Sequence, residues 1–373
     1  MRDVAIVGAA RTAMGGLQGV FAPMSAADLG GRAIAAALAG AGAGSDRVEE
    51  LVMGCVLPAG QGQAPARQAG FAAGLSDAVP ATTLNKMCGS GMKAAMLAAD
   101  ALALGSADLV VAGGMESMTN APYLLPRMRG GARLGHAQAV DHMFLDGLED
   151  AYEKGRLMGT FAEDCAQAFQ FTREAQDGYA LASLARAQSA QASGAFRAEI
   201  AAVEVAGRGG SVTVEEDEQP RSARPDKIPT LKPAFRPDGT ETAAHSSSIS
   251  DGAAALVLAA GEGARGLPVR AMIRGHASHA QRPAEFPTAP VPAARKLLAR
   301  LGWRVEDVDL WEVNEAFAVV PMAFMAETGV PHDRMNVNGG ACAPGHPPRG
   351  SGARALLALL PAGGARGGPR GGA

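Results

Sequence analysis

LNKMCGSGMKAAMLAADAL (84–102) and VNGGACAPGHPPRGSGARALLALL (337–360) are the two stretches of this sequence that decide its fold. Each stretch is typical of a short strand, an Asn, a glycine-rich turn and then a helix rich in Ala and Leu. VEELVMGCV (48–56) and VEDVDLWEV (305–313) resemble each other in the same way. The repetition predicts a chain built from two similar lobes.

Strand-like and helix-like segments alternate at both ends of the chain, around a looser and more charged middle region. This alternation predicts an α/β fold with a mostly parallel sheet covered by helices. The predicted domains are an N-terminal lobe (1–116 and 246–265), an inserted loop domain (117–245) and a C-terminal lobe (266–373).

The end of the C-terminal lobe departs from the repeated pattern. Helices are predicted over 315–328 and 351–360, with a strand over 335–338 between them. In the first lobe the strand DLVVAGGME (108–116) follows the helix, whereas the second lobe continues as PAGGARGGPRGGA (361–373). Such a Gly-, Pro- and Arg-rich tail is predicted not to form a buried strand, so the C-terminal strand is expected to be missing.

Composition excludes several functional classes. The 373 residues are 47% hydrophobic and 19% charged, with a net charge of −3, so no basic field is available for nucleic acid or an anionic membrane. No apolar run reaches the roughly 18 residues of a membrane span. Four scattered cysteines without a CxxC pair favour thiols in a reducing cytoplasm over a zinc site or disulfide framework.

Cys88 is the candidate nucleophile. It lies at a strand-to-helix turn between small residues, where the helix dipole and unpaired N–H groups stabilise a thiolate. Gly89 and Gly91 let a substrate approach the backbone, and the Cys88 N–H is a candidate oxyanion donor. The alternative is a buried, inert thiol.

Two further residues are candidates for the same site. His346 occupies the matching turn of the second half, where the pseudo-twofold arrangement would bring a base to Cys88. Asn314, with Glu315, follows a predicted strand and could position a water or an oxyanion. The alternatives are an inactive loop His and ordinary helix capping by Asn314.

Several motifs, taken together and in order, resemble those of the thiolase family, of the acetyl-CoA acetyltransferase type. They extend from Val4 to about Gly345 and are NKMCGSGMKA (85–94), GGMESMTNAPYLL (113–125), GRLMGTFAED (155–164), SISDGAAALVL (248–258), WEVNEAFAVV (311–320) and NVNGGACAPGHP (336–347).

The resemblance implies a thiolase fold: two similar βαβαβαββ-type lobes in an α/β/α/β/α core, with an inserted loop domain that binds CoA. It implies that Cys88 is acylated, that His346 activates it, and that Asn314 holds a water near the thioester oxygen. The implied reaction joins two acetyl-CoA into acetoacetyl-CoA and CoA, or thiolyses a 3-oxoacyl-CoA in reverse. The resemblance also implies that CoA thioesters are substrates, that no cofactor is required, and that the protein is a tetramer or dimer.

The resemblance also implies a set of residues that bind substrate or CoA. Ser247 matches a position that touches the pantetheine arm, Arg221 a basic residue near the CoA nucleotide, and Met158 a pocket residue. Gly345 belongs to the GHP motif at the same site.

Three departures from the family pattern stand out. In the family pattern, the acid/base Cys lies in a terminal CIGGG strand, which should fall just after Ala373. Impaired C–C bond chemistry is therefore expected. A truncation or a shifted reading frame would produce such an end. Cys342 replaces an apolar residue and is a candidate substitute, although strand alternation directs it into packing. His245 stands where Asn is common.

Two other classes compete with the thiolase interpretation. One is a related condensing enzyme or acyl-CoA transacylase that does not need the second Cys. The other is a non-catalytic thiolase-like subunit or an inactive gene product. The NEAF and GHP motifs, around Asn314 and His346, favour a thiolase over a decarboxylating condensing enzyme.

Overall fold

This computed structural model describes residues 1–207, 209–342, 351–364 and 370–373. The strands are β1 (Val4–Thr12), β2 (Gly15–Gly16), β3 (Glu50–Gly54), β4 (Ala81–Leu84), β5 (Leu109–Ser117), β6 (Tyr123–Leu124), β7 (Val140–Asp141), β8 (Ile200–Ala201), β9 (Val203–Gly207), β10 (Gly210–Val214), β11 (Ser250–Ala259), β12 (Ala271–Ile273), β13 (Leu310–Trp311) and β14 (Gly371–Gly372). The α-helices are α1 (Ala26–Ala41), α2 (Pro65–Ala72), α3 (Ser90–Leu104), α4 (Gly159–Phe169), α5 (Arg173–Ser193), α6 (Glu218–Ser222), α7 (Pro290–Leu301), α8 (Val319–Thr328) and α9 (Ser351–Gly364).

The main sheet has the strand order β12-β1-β11-β5-β3-β4, and it is built from the predicted N-terminal lobe together with β12 of the predicted C-terminal lobe. β3 runs parallel to β4 and β5, as the alternating pattern predicts. β11 instead runs antiparallel to both β1 and β5, so the sheet is mixed and the prediction of a mostly parallel sheet was wrong in this respect. Neighbouring parallel strands are usually joined by a crossover helix. β11 instead follows the long inserted segment, so its connection does not require it to run parallel to β1 or β5.

Helices cover both faces of this sheet. One face packs against α1 and α2 in a single apolar cluster. The other face packs against α3, and Leu357 of α9 belongs to the same cluster. α1 begins after Ser25, whose side chain accepts the Asp28 N–H while the Asp28 carboxylate accepts the Ser25 N–H. α3 and α9 therefore form the helical layer on the second face of the sheet.

The C-terminal lobe differs from its predicted elements. Residues 335–338 form no strand beyond a single bridge between Trp311 and Met335. α8 begins at Val319, later than the predicted start at residue 315, because residues 312–318 take up contacts with other segments instead of helical hydrogen bonds. α9 follows the prediction and ends later, at Gly364.

The expectation of a missing terminal strand also needs correction. β14 pairs in parallel with β13, with Gly371 opposite Leu310 and Gly372 opposite Trp311. The strand is only two residues long, and Gly371 is exposed and Gly372 half-buried, so no buried strand forms. A Cβ on Gly372 would lie 2.9 Å from the Trp311 ring, so this pairing depends on the absence of a side chain at position 372.

Within the described residues, no helix is long and apolar enough to cross a membrane. The predicted domain boundaries remain a prediction.

Candidate active site

The Cys88 turn (residues 85–90) joins β4 to α3 in the N-terminal lobe. Met87 adopts a left-handed conformation with a φ of 48°, which residues other than Gly seldom adopt. Ser90 fixes this turn, because its hydroxyl accepts the Lys86 N–H at 2.8 Å and donates to the Met87 carbonyl at 2.7 Å. The turn places the half-buried Cys88 immediately before α3.

The start of α3 is suited to stabilising negative charge at Cys88. Gly89 occupies the cap position and, in the described part of the chain, no side chain caps the helix. The Gly89 and Ser90 N–H groups donate to the Lys86 and Met87 carbonyls, whereas the other N–H groups in the first turn of a helix have no intrahelical partner and carry partial positive charge. Gly54 of β3 permits this arrangement, since a Cβ there would lie 2.5 Å from the Cβ of Ser90. The local geometry thus favours a reactive thiol over an inert one.

Asn314 follows β13 in the C-terminal lobe. Its side-chain oxygen is buried and has no hydrogen-bond partner among the described residues. Ala318 occupies the N-cap position of α8. Asn314 therefore does not cap this helix, and the capping alternative is wrong. A buried carbonyl oxygen without a donor costs roughly 1–3 kcal/mol, so this amide is available to a water or ligand that can donate to it.

Glu315 is the centre of a buried polar cluster, the Glu315 network (Glu315, Tyr179, Ser183, Asn336 and the Cys342 backbone N–H). Glu315 Oε1 accepts the Tyr179 hydroxyl and the Asn336 amide, both at 2.8 Å. Its Oε2 accepts the Ser183 hydroxyl at 2.9 Å and the Cys342 N–H at 3.0 Å. Burial, followed by the Glu315 charge, raises the pKa of Tyr179 well above its usual value, so the phenol remains a donor.

Asn336 connects this network to the end of β13. Its side chain accepts the Val313 N–H and donates to the Val313 carbonyl, both at 2.9 Å. Its φ of 46° is left-handed, a conformation in which Asn is several-fold enriched. The chain around Asn314 is therefore held from both sides.

Cys342 lies at the same junction. Its thiol is 3.2 Å from the His245 carbonyl oxygen and 3.7 Å from the Glu315 carbonyl oxygen. Burial and then the charge of Glu315 raise the pKa of Cys342 well above its usual value. A thiol that faces two acceptors and resists ionisation is a hydrogen-bond donor, as the prediction of a packing role requires.

His245 is fully buried and held in a defined orientation. Its Nε2 lies 2.7 Å from Asp177 Oδ1, and its Nδ1 accepts the Thr242 N–H at 3.2 Å. Nε2 therefore carries the proton of a neutral imidazole. Burial lowers the pKa of His245, although the hydrogen bond to Asp177 opposes that shift.

Segment 245–248 contains Ser247, which is predicted to contact the pantetheine arm. It is hydrogen-bonded to residues 312–318, the Asn314 segment. The half-buried Ser247 donates its N–H to the Ala316 carbonyl at 3.0 Å, and the His245 carbonyl accepts the Ala318 N–H at 2.7 Å. Met158 immediately precedes α4 and packs against the apolar cluster that contains Phe317. The structure thus brings Ser247, Met158 and the Asn314 segment into one region.

Arg221 lies on α6 with an exposed side chain. The same helix carries Gln219, whose side chain accepts the Ser248 hydroxyl and donates to Ser250 at 3.3 Å. α6 is thereby attached to the segment that follows Ser247. His346 and Gly345 lie outside the described residues, so their predicted roles remain predictions.

Sequence reasoning missed the contribution of α5 to this region. Asp177, Tyr179 and Ser183 are buried on this helix, and they reach His245 and Glu315 in segments more than 60 residues away. The available indication was the presence of polar residues on the buried stripe of an otherwise amphipathic helix. Sequence reasoning also missed Glu312, where burial raises the pKa to about 8.

Comparison with known proteins identifies the family of the chain. Residues 4–262 match the thiolase N-terminal domain, and residues 267–371 match the thiolase C-terminal domain. Acetyl-CoA acetyltransferase 2 of Arabidopsis thaliana is 50% identical over 364 residues, which cover 96% of this chain and 90% of the relative. The acetyl-CoA acetyltransferase of Pseudomonas aeruginosa is 48% identical over 364 residues, covering 96% and 92%.

A solved structure shares the fold. The crystal structure of Acat5 thiolase from Ascaris suum in complex with coenzyme A superposes with a TM-score of 0.92 at 40% sequence identity. The match covers 97% of this chain and 93% of that one. On its sequence motifs, its two matching domains and its fold, the chain belongs to the thiolase family.

Proposed function

We propose that this protein is an acetyl-CoA acetyltransferase, which joins two molecules of acetyl-CoA into acetoacetyl-CoA and CoA and thiolyses a 3-oxoacyl-CoA in reverse. The observation that carries the proposal is the position of Cys88 at the start of α3, which has no side-chain cap in the described residues. The names of the relatives and the CoA-bound solved thiolase support the same activity.

The first half of the proposed reaction is acylation of Cys88. The thiolate attacks the carbonyl carbon of acetyl-CoA, the C–S bond to CoA breaks, and CoA leaves as a thiol. His346 would accept the Cys88 proton and return it to the departing sulfur. A water held by Asn314 would help to bind the thioester oxygen, and backbone N–H groups, the Cys88 N–H among them, would supply a second oxyanion site. Each such donor contributes about 10²–10³-fold.

The second half forms the C–C bond. A second acetyl-CoA loses an α-proton to a base, and its enolate carbon attacks the acetyl group on Cys88. The Cys88–acyl bond then breaks and releases acetoacetyl-CoA. Cys342 is poorly suited to be that base, because its thiol donates to carbonyl oxygens and its pKa is raised.

CoA binding is proposed to use the region between the loop domain and the Asn314 segment. Ser247 would contact the pantetheine arm, Arg221 the nucleotide end, and Met158 and Gly345 the acyl site. The exposure of Arg221 and the position of Ser247 beside Ala316 support this assignment. The reaction needs CoA thioesters and side chains of the chain itself, without a metal or redox cofactor.

A homo-oligomer, a dimer or tetramer, is part of the proposal. The loop domain exposes large apolar side chains at Tyr123, Leu125, Met128 and Leu134, which favour a partner surface. Among the described strands, β4 is the last on its side of the main sheet and offers backbone groups for pairing. A cytoplasmic location is proposed from the four scattered cysteines without a CxxC pair, and a role in fatty acid metabolism from the resemblance to the thiolase family.

The test uses the purified chain, after its fold has been confirmed by circular dichroism. Incubation with acetyl-CoA and mass spectrometry of the peptides should find acetyl on Cys88. Thiolysis of acetoacetyl-CoA, which the sequence leads us to expect to be impaired, is measured in parallel. Cys88→Ala should abolish both, lowering turnover by about 10³-fold or more.

Cys165→Ala is the matched control. Cys165 is buried, and burial together with the Glu241 charge raises its pKa to about 11, so its removal should leave acetylation unchanged. Wild-type protein that is folded but not acetylated would refute the proposed function. Acetylation without condensation or thiolysis would instead identify an acyl-CoA transacylase.

A further inference from the structure

Glu315 is a buried carboxylate with no direct part in the proposed reaction. Its side chain is 0% exposed, and its hydrogen-bond partners in the described residues are neutral. It lies immediately after Asn314, which the proposed reaction does use. A buried charge in such a setting requires an account of what it does for its neighbours.

The donors around Glu315 match an ionised carboxylate. Two donors, Tyr179 and Asn336, reach one oxygen, and two donors, Ser183 and the Cys342 N–H, reach the other. An ionised carboxylate accepts at about four lone-pair sites and donates at none. A neutral amide at this position would turn one acceptor into a donor that faces two other donors.

The glycine pair Gly339–Gly340 lets the backbone close around this carboxylate. A Cβ on Gly340 would lie 2.1 Å from the Glu315 carboxyl carbon. Gly339 has a φ of 80°, and a Cβ there would lie 2.6 Å from the Ser183 carbonyl oxygen. The Gly340 N–H also donates to the Ser183 hydroxyl at 3.0 Å, so the segment bonds to the network twice.

Three segments of the chain meet at this carboxylate. Tyr179 and Ser183 come from α5 of the loop domain, Asn336 and Cys342 from the segment before the GHP motif, and Glu315 from the Asn314 segment. The donor Tyr179 is 136 residues from Glu315 in sequence. Directional bonds from three separate segments fix their relative positions better than apolar packing would.

We infer that Glu315 is a positioning residue, which holds the Asn314 side chain in register with the segment of Cys342 through the Glu315 network. The inference rests on the proposed function, since it assigns Asn314 to the acylation step. It predicts that Glu315 influences acylation of Cys88 through Asn314 and not through binding of CoA.

The experiment is a double-mutant cycle on the first half-reaction. The rate constant for acetylation of Cys88 by acetyl-CoA is measured by rapid quench and mass spectrometry for wild type, Glu315→Gln, Asn314→Ala and the double variant. The dissociation constant for CoA is measured for each by calorimetry. Misplacement of a catalytic group by about 1 Å costs roughly 10²-fold, so Glu315→Gln should slow acetylation by about 10- to 100-fold.

The cycle separates positioning from general structural damage. If Glu315 acts through Asn314, Glu315→Gln should slow the Asn314→Ala variant by no more than about twofold, because residues that act as a unit are not additive. The affinity for CoA should stay within about threefold. Full additivity, or an unchanged rate in Glu315→Gln, would overturn the inference, whereas failure of the wild type to be acetylated would refute the proposed function instead.

Two further variants keep the test decisive. Tyr179→Phe removes one donor and keeps the ring, so it replaces Glu315→Gln in the cycle if that variant does not fold, with an expected slowing of about 3- to 10-fold. Glu163→Gln is the matched control, since Glu163 is a buried carboxylate whose bonds go to Thr240 and Glu241. An equal slowing in Glu163→Gln would also overturn the inference.

Discussion

Replacing Cys342 by Ala tests whether this thiol is a hydrogen-bond donor or an acid/base group. The thiol donates to the His245 carbonyl oxygen at 3.2 Å and lies 3.7 Å from the Glu315 carbonyl oxygen. Burial and the Glu315 charge raise its pKa, so a thiolate does not form near neutral pH. We expect Cys342→Ala to leave the catalytic rate nearly unchanged.

The two roles predict effects of different size. General acid–base catalysis contributes about 10²–10⁴-fold to rate, which is the loss expected if Cys342 were the proton-transfer group. A weak thiol donor has no such role, and a change in barrier below about 0.6 kcal/mol alters the rate by less than about threefold. Its loss should appear in stability, where a buried hydrogen bond contributes about 0.5–1.5 kcal/mol.

The assay is steady-state thiolysis of acetoacetyl-CoA, with acetylation of Cys88 measured in parallel. Both rates should stay within about threefold of wild type across the pH range, and the thermal midpoint should fall slightly. Cys342→Ser, which replaces the thiol donor by a hydroxyl donor, should lose less stability than Cys342→Ala. A loss of thiolysis of about 10²-fold or more, with Cys88 still acetylated, would refute the donor role and make Cys342 the acid/base.

Three other predictions follow from buried groups. Arg11 is 1% exposed and bridges Glu199 and Asp217, so Arg11→Met should cost about 3–5 kcal/mol in urea unfolding. Arg304→Met, which breaks the exposed ion pair with Asp307, should leave the urea midpoint nearly unchanged, and equal losses in the two variants would contradict this. Burial lowers the pKa of His245, so the unfolded chain takes up the proton first and stability falls as pH drops below about 6.5. His245→Asn should therefore show a shallower acid loss in urea midpoints, and an unchanged slope would argue against it. Gly340→Ala places a Cβ 2.1 Å from the Glu315 carboxyl carbon and should lower the free energy of unfolding by about 1–3 kcal/mol in the same assay, an expectation that a neutral result would contradict.

The elements of the N-terminal lobe could be predicted from sequence because their patterns are local. The Ser25 cap, the α3 helix after the Cys88 turn and the strand β5 each depend on residues within one segment. The direction of β11 could not be predicted this way. Antiparallel pairing with β1 and β5 depends on how the chain returns from the loop domain, which no local pattern records.

The residues of the candidate site also divide into those that local sequence predicts and those that only the structure reveals. Cys88 and Asn314 are apparent from turn chemistry and motif, and the local alternative of helix capping by Asn314 was removed only by the late start of α8. The tail pairs as β14 although its composition disfavours a strand, because two glycines need only backbone partners to extend an edge.

The sequence by itself determined the α/β fold class, the thiolase family and the choice of Cys88 as the candidate nucleophile, because these depend on periodicity, turn chemistry and motif order within short segments. Tertiary structure alone decided that Cys342 donates to His245, that His245 pairs with Asp177, and that Glu315 gathers donors from α5. Those partners are separated by 68 to 136 residues, and such distant groups become neighbours only through packing of the whole chain.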